Sequence, residues 1–115
     1  MSFQTIFDAY LEAAIWSTTD NDEEPLDKRF SISDFSDSAI EMAAADINNF
    51  LCQAGELTSG IDDESIGHDF WLTRNRHGAG FWDRGYENGI GDKLTEIAHS
   101  FGERDITERN GKLDF

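Results

Sequence analysis

Between residues 68 and 84 the chain places His68, Asp69, Arg74, His77, Asp83 and Arg84, interleaved with Trp71 and Trp82. Two imidazoles and two carboxylates so close in sequence are the side chains a metal site draws on. They also supply acid–base pairs. Their spacing fits no ligand signature, so a metal is not expected, and no cofactor is implied. A purely structural arrangement competes with both chemistries, in which Asp69 and Asp83 pair with Arg74 and Arg84. The same stretch offers Phe70, Trp71, Phe81 and Trp82 beside Arg74, Arg76 and Arg84. Stacking aromatics next to arginine suit single-stranded nucleic acid.

Other chemistries have less to stand on. Cys52, the lone cysteine, falls near the end of a helical stripe beside Leu51 and is expected to be buried or half-buried. It excludes an internal disulfide and fits a reducing cytoplasm. No Gly-x-Ser-x-Gly elbow, P-loop or dinucleotide fingerprint occurs, and the GAG at 78–80 is too short and opens no helix. The residues therefore assemble no complete catalytic set.

Charge dominates the composition. Nine Lys and Arg face 24 Asp and Glu, a net charge of −15 over 115 residues. Residues 1–65 hold 15 acids and two bases, Lys28 and Arg29, a balance of −13; residues 66–115 hold nine acids and seven bases, a balance of −2. Phosphates and anionic membranes repel such a chain, which argues against direct nucleic-acid binding, and basic surfaces attract it. Asp20, Asp22 and Glu24 alternate like calcium ligands, but an EF-hand loop needs glycine where Pro25 stands.

The elements that would position these groups follow from periodicity. Ser2 caps a helix over residues 3–16, with Phe3, Phe7, Tyr10, Leu11, Ala14 and Ile15 on one stripe and Asp8 and Glu12 on another face. Residues 17–29 read as an acidic loop. Ser36 caps a second helix over residues 37–54, with Phe35 and Ile40 as a hydrophobic staple and Gly55 as its stop. Ala39, Ile40, Ala43, Ala44, Ile47, Phe50, Leu51 and Ala54 form its buried stripe. Asp37 and Glu41, four apart, repel each other, which hints that this acidic face serves something besides helix stability. Residues 56–67, with Asp62, Asp63 and Glu64 in a row, read as a connector. Two aromatic runs, residues 69–74 and 80–84, flank a glycine-containing loop at 75–79 and predict a hairpin. A third helix is expected over residues 93–101, capped by Asp92 and ended by Gly102, and Asn110-Gly111 predicts a terminal hairpin. The expected fold is one α+β domain, two or three helices on a small antiparallel sheet of hairpins. No apolar run is long enough to cross a membrane, and no secretory leader is visible.

The segment GHDFWLTRNRHGAGFWDRG, residues 67–85, resembles a motif of small, acidic, uncharacterised proteins encoded by bacteriophages. The stretches AIWSTTDNDEEPLD (14–27), DINNFLCQAGEL (46–57) and GDKLTEIAHSFG (91–102) resemble that family's remaining regions. The resemblance implies a phage origin and action in the bacterial host cytoplasm, and it implies no reaction. It also implies a glycine in many relatives where Arg76 stands here, which removes Arg76 from any shared catalytic role.

Two functional expectations result. One is an inhibitor that binds the basic surface of a host DNA-handling protein, as a DNA mimic, through Asp8, Glu12, Asp20, Asp22, Glu23, Glu24, Asp37, Glu41, Asp62, Asp63 and Glu64. The alternative is a small ligand- or metal-binding protein or enzyme built on His68, Asp69, Trp71, Arg74, His77, Trp82, Asp83 and Arg84. An exposed Trp71 or Trp82 would also allow a homodimer in place of a monomer.

Overall fold

A computed structural model describes residues 1–19 and 22–115. Four helices, α1 (Phe3–Ser17), α2 (Asp37–Ala54), α3 (Asp63–Arg74) and α4 (Ile90–Ser100), precede a short antiparallel pair, β1 (Thr107–Arg109) and β2 (Lys112–Asp114). Helix dominates, so the architecture is α+β, with four helices and one hairpin among the described residues.

The two expected serine caps hold, while Asp92 does not cap the last helix. The Ser2 hydroxyl accepts from the Thr5 N–H at 3.3 Å, and the Ser36 hydroxyl from the Ala39 N–H at 3.1 Å. Each such cap is worth about 1 kcal/mol. Ser36 does more: its hydroxyl donates to Asp114 at 2.9 Å and its N–H to the Leu113 carbonyl at 2.8 Å, tying the start of α2 to β2. Asn110 and Gly111 both hold positive φ, 54° and 80°, the geometry that a two-residue hairpin turn requires. α4 begins earlier than expected, with Gly89 at the cap and Asp92 inside the first turn, where a carboxylate favours the positive end of the helix dipole.

The largest departure lies at residues 63–84. The expected first strand is the C-terminal half of α3, and the expected second strand is a loop with one 3₁₀ turn, Phe81–Asp83. The supposed connector supplies a 3₁₀ turn at Gly55–Thr58 and the first turn of α3, whose Asp63 and Glu64 suit a helix N-terminus. α3 packs most closely on α1. Gly67 permits it, since a Cβ there would run into the Ile6 carbonyl oxygen.

The core is aromatic. Phe50 stacks on Phe70 at 4.2 Å between centroids and on Phe81 at 5.6 Å, and Phe101 meets Phe70 edge-on at 5.2 Å. Such contacts add about 0.5–1.5 kcal/mol each beyond area burial. Cys52 is exposed, not buried: it falls on the outer face of α2, away from the Ala39, Ala43, Ile47, Phe50 and Ala54 stripe.

Candidate functional site

Because 68–74 is helical, the side chains of the segment diverge. The Trp71 indole is buried and donates to the Ser17 hydroxyl at 2.9 Å, so Trp71 can carry no dimer interface. Arg74, also buried, donates to Asp46 at 2.7 Å, to the Tyr10 hydroxyl at 3.0 Å and to the carbonyls of Phe101 and Gly102 at 3.1 and 3.0 Å. It thereby caps the C-terminal end of α4, where a cation is favoured. Arg104 reaches the same Asp46 oxygen at 3.1 Å. Burial pushes the Tyr10 phenol up to about 12, against the lowering pull of Arg74.

Asp69 faces elsewhere. Its carboxylate is 1% exposed and accepts two hydrogen bonds from Arg84, at 2.7 and 3.0 Å. The pairing expected of Asp69 and Asp83 with Arg74 and Arg84 is thus met differently: Asp69 takes Arg84, while Arg74 takes Asp46. Asp83 accepts from the Gly80 N–H at 3.1 Å and lies 3.8 Å from Arg84. Hydrogen bonding to Asp69 raises the Arg84 guanidinium above its ordinary value, and burial raises the nearby Tyr86 phenol. His68 Nδ1 stands 3.5 Å from Asp69, and its ring lies 5.6 Å from that of Trp16. His77 is exposed beyond the end of α3 and lines a separate hollow with Asn75 and Arg104, so the two histidines do not meet. Among the described residues, no group of three or more His, Cys, Asp or Glu side chains is placed to hold a metal ion.

The acidic residues divide as well. Asp8 and Glu12, one turn apart on α1, face Asp62, Glu64 and Ser65 at the start of α3 across a cleft of about 610 Å³, floored by Asp69 and Arg84 and flanked by His68. Arg84 is the one Lys or Arg among the residues lining this cleft, and Asp69 already engages it. Among the described residues lining the cleft, no Lys or Arg is therefore left for Asp8, Glu12, Asp62 and Glu64, and Asp8 accepts from the Gln4 amide at 2.8 Å. Asp63, next to them, accepts from the Ser2 N–H at 2.7 Å. Asp22 and Glu24 line a different hollow with Lys28 and Arg29, where Lys28 pairs with Glu24 at 2.5 Å. Glu23 is exposed in that loop with φ 63°, and Asp37 and Glu41 are exposed on α2, outside the cleft. Asp20 lies outside the described residues.

Three apolar side chains beside the cleft went unremarked as a group in the sequence. Trp16, Phe30 and Ile32 line a hollow of about 460 Å³ together with Ile15, Asp27, Glu12 and His68. The one signal was Trp16 itself, which falls a residue beyond the buried stripe of α1.

No helix among the described residues is long and apolar enough to cross a membrane. Comparison with protein-family models, curated proteins and solved structures found no match.

Proposed function

We propose that this is a bacteriophage-encoded acidic protein that binds the basic surface of a host DNA-handling protein and inhibits it, occupying the surface that the enzyme uses for DNA. The observation that carries the reading is the α1–α3 cleft: Asp8, Glu12, Asp62 and Glu64 converge from two elements, and the cleft's arginine is already spent on Asp69. The −13 balance of residues 1–65 extends the same negative field beyond the cleft. A field of one sign steers an oppositely charged partner and speeds association, with strong salt dependence. Asp69 and Arg84 engage each other through two hydrogen bonds, which favours a supporting role for both at a binding surface. The left-handed φ of 56° at Arg76 suits the glycine expected there in the proposed phage relatives.

The test is retention of bacterial proteins, after nuclease treatment, on the immobilised protein and on a variant with Asp8→Asn, Glu12→Gln, Asp62→Asn and Glu64→Gln. A DNA-binding protein held to high salt by the native chain and lost from the variant is the expected result. Its DNA binding should then be blocked by the free native protein. Basic proteins released together at low salt from both columns would reduce the acidity to a solubility device.

A further inference from the structure

The hollow beside the acidic cleft has a different chemistry. Its walls are Ile15, Trp16, Phe30 and Ile32, and Trp16 remains 57% exposed. A solvated indole on the wall of an apolar hollow is a standing invitation to a partner, since covering it removes a large apolar area from water. The hollow does not stand alone. Glu12 and His68 line both it and the cleft, so the two adjoin. Asp27 adds a carboxylate at the apolar end. Arg29 lies over the Phe30 ring at 5.0 Å without lining the hollow.

We infer that Trp16, Phe30 and Ile32 form an anchor pocket for one apolar side chain of a protein segment whose neighbouring lysines or arginines lie along Glu12, Asp8, Asp62 and Glu64. The inference rests on reading the cleft as a surface for a basic partner, and it adds what that partner must carry. Charge complementarity selects the occupant. A second copy of this chain would bring another −15 against the same carboxylates. A neutral apolar ligand would use the pocket and leave the cleft's charges unanswered. A lysine-rich segment with an apolar anchor uses both. The division of labour is the usual one at interfaces: the buried anchor supplies affinity, and the flanking charges supply approach and register.

Two synthetic peptides test it, each about ten residues long and rich in lysine, one with leucine at its centre and one with alanine there. A third keeps the leucine and replaces the lysines with serine. Each is titrated into the full chain at low salt while the three tryptophan indole N–H signals are followed by NMR. The leucine peptide should bind about tenfold more tightly than the alanine peptide and shift the Trp16 signal, the gain from covering one side chain of that size. Trp16→Ala should make the two peptides equal while leaving the alanine peptide's affinity and salt dependence unchanged. Because Trp16 is exposed, the variant should melt like the native chain. Equal binding of the two lysine peptides to the native protein, both lost on neutralising the four cleft carboxylates, would overturn the anchor pocket and leave the acidic-surface reading standing. No binding of either would overturn both. Serine-peptide binding as tight as that of the leucine peptide would overturn the basic partner, and so would a concentration-dependent dimer in sedimentation that Trp16→Ala abolishes.

Discussion

Arg74 and Arg84 look alike in sequence, ten residues apart and each suited to a carboxylate, but the two pairs they form are inverted. In the first, the guanidinium is the buried member, 1% exposed, and its partner Asp46 is 18% exposed. In the second, the carboxylate is buried, with Asp69 1% exposed and Arg84 38% exposed. Arg74 is also paired more richly. It touches a carboxylate, a phenol and two helix-end carbonyls, and its guanidinium carbon lies 5.5 and 5.8 Å from the Phe70 and Phe101 centroids. It joins α1, α2, α3 and the end of α4 and presents nothing to a partner. Arg84 anchors one buried charge at the floor of an open cleft. One arginine holds the fold together, and the other holds a surface in place.

The inversion predicts which member of each pair matters more. Asp46→Ala leaves a buried guanidinium without its anion, with Arg104 beside it. Breaking a buried pair in this way costs about 3–5 kcal/mol, and we expect that loss in urea unfolding. Arg84→Ala leaves Asp69 buried without its cation, but the site borders solvent, so the expected cost is lower, about 2–3 kcal/mol. Adding Asp69→Asn to Arg84→Ala should recover part of it, because the stranded charge is gone. Should Arg84→Ala prove costlier than Asp46→Ala, the cleft floor and not the Arg74 cluster would be the main electrostatic support of the fold.

The same two regions explain what was legible in the sequence. α1, α2 and the final hairpin could be read, because each has one buried stripe, a capping serine or an Asn-Gly turn. α3 could not. Eight of its twelve residues are buried, among them Phe70, Trp71, Leu72, Thr73 and Arg74 in succession. A helix whose C-terminal half is enclosed on every side shows no 3.6-residue stripe there, and its aromatic and β-branched residues imitate a strand. Gly67 deepened the disguise. It closes the expected connector, and its role, to let α1 approach, appears only in three dimensions. The candidate site was half legible for a related reason. The carboxylates were visible as composition, but their convergence depends on α3 being a helix alongside α1. Asp46, the partner Arg74 uses, is 28 residues away from it in sequence, and no local pattern points to it.

Tyr10 gives the finest test of the contrast, because its hydroxyl touches the Arg74 cluster directly. Arg74 alone would ease its ionisation, yet burial outweighs that pull and holds the phenol near 12. The unfolded chain ionises Tyr10 near its ordinary value of about 10, so the native state binds the extra proton between those two values. The contribution is therefore complete below pH 10 and is lost as pH rises through 12. At pH 11 the loss attributable to Tyr10 is on the order of 1 kcal/mol. Urea unfolding of the native chain and of Tyr10→Phe, each at pH 9 and pH 11, isolates this share from that of other groups, Tyr86 among them. We expect the native chain to lose more stability than Tyr10→Phe over that interval. Equal losses would mean that the pull of the Arg74 guanidinium cancels burial at the phenol, and a smaller loss in the native chain than in Tyr10→Phe would mean that it outweighs burial.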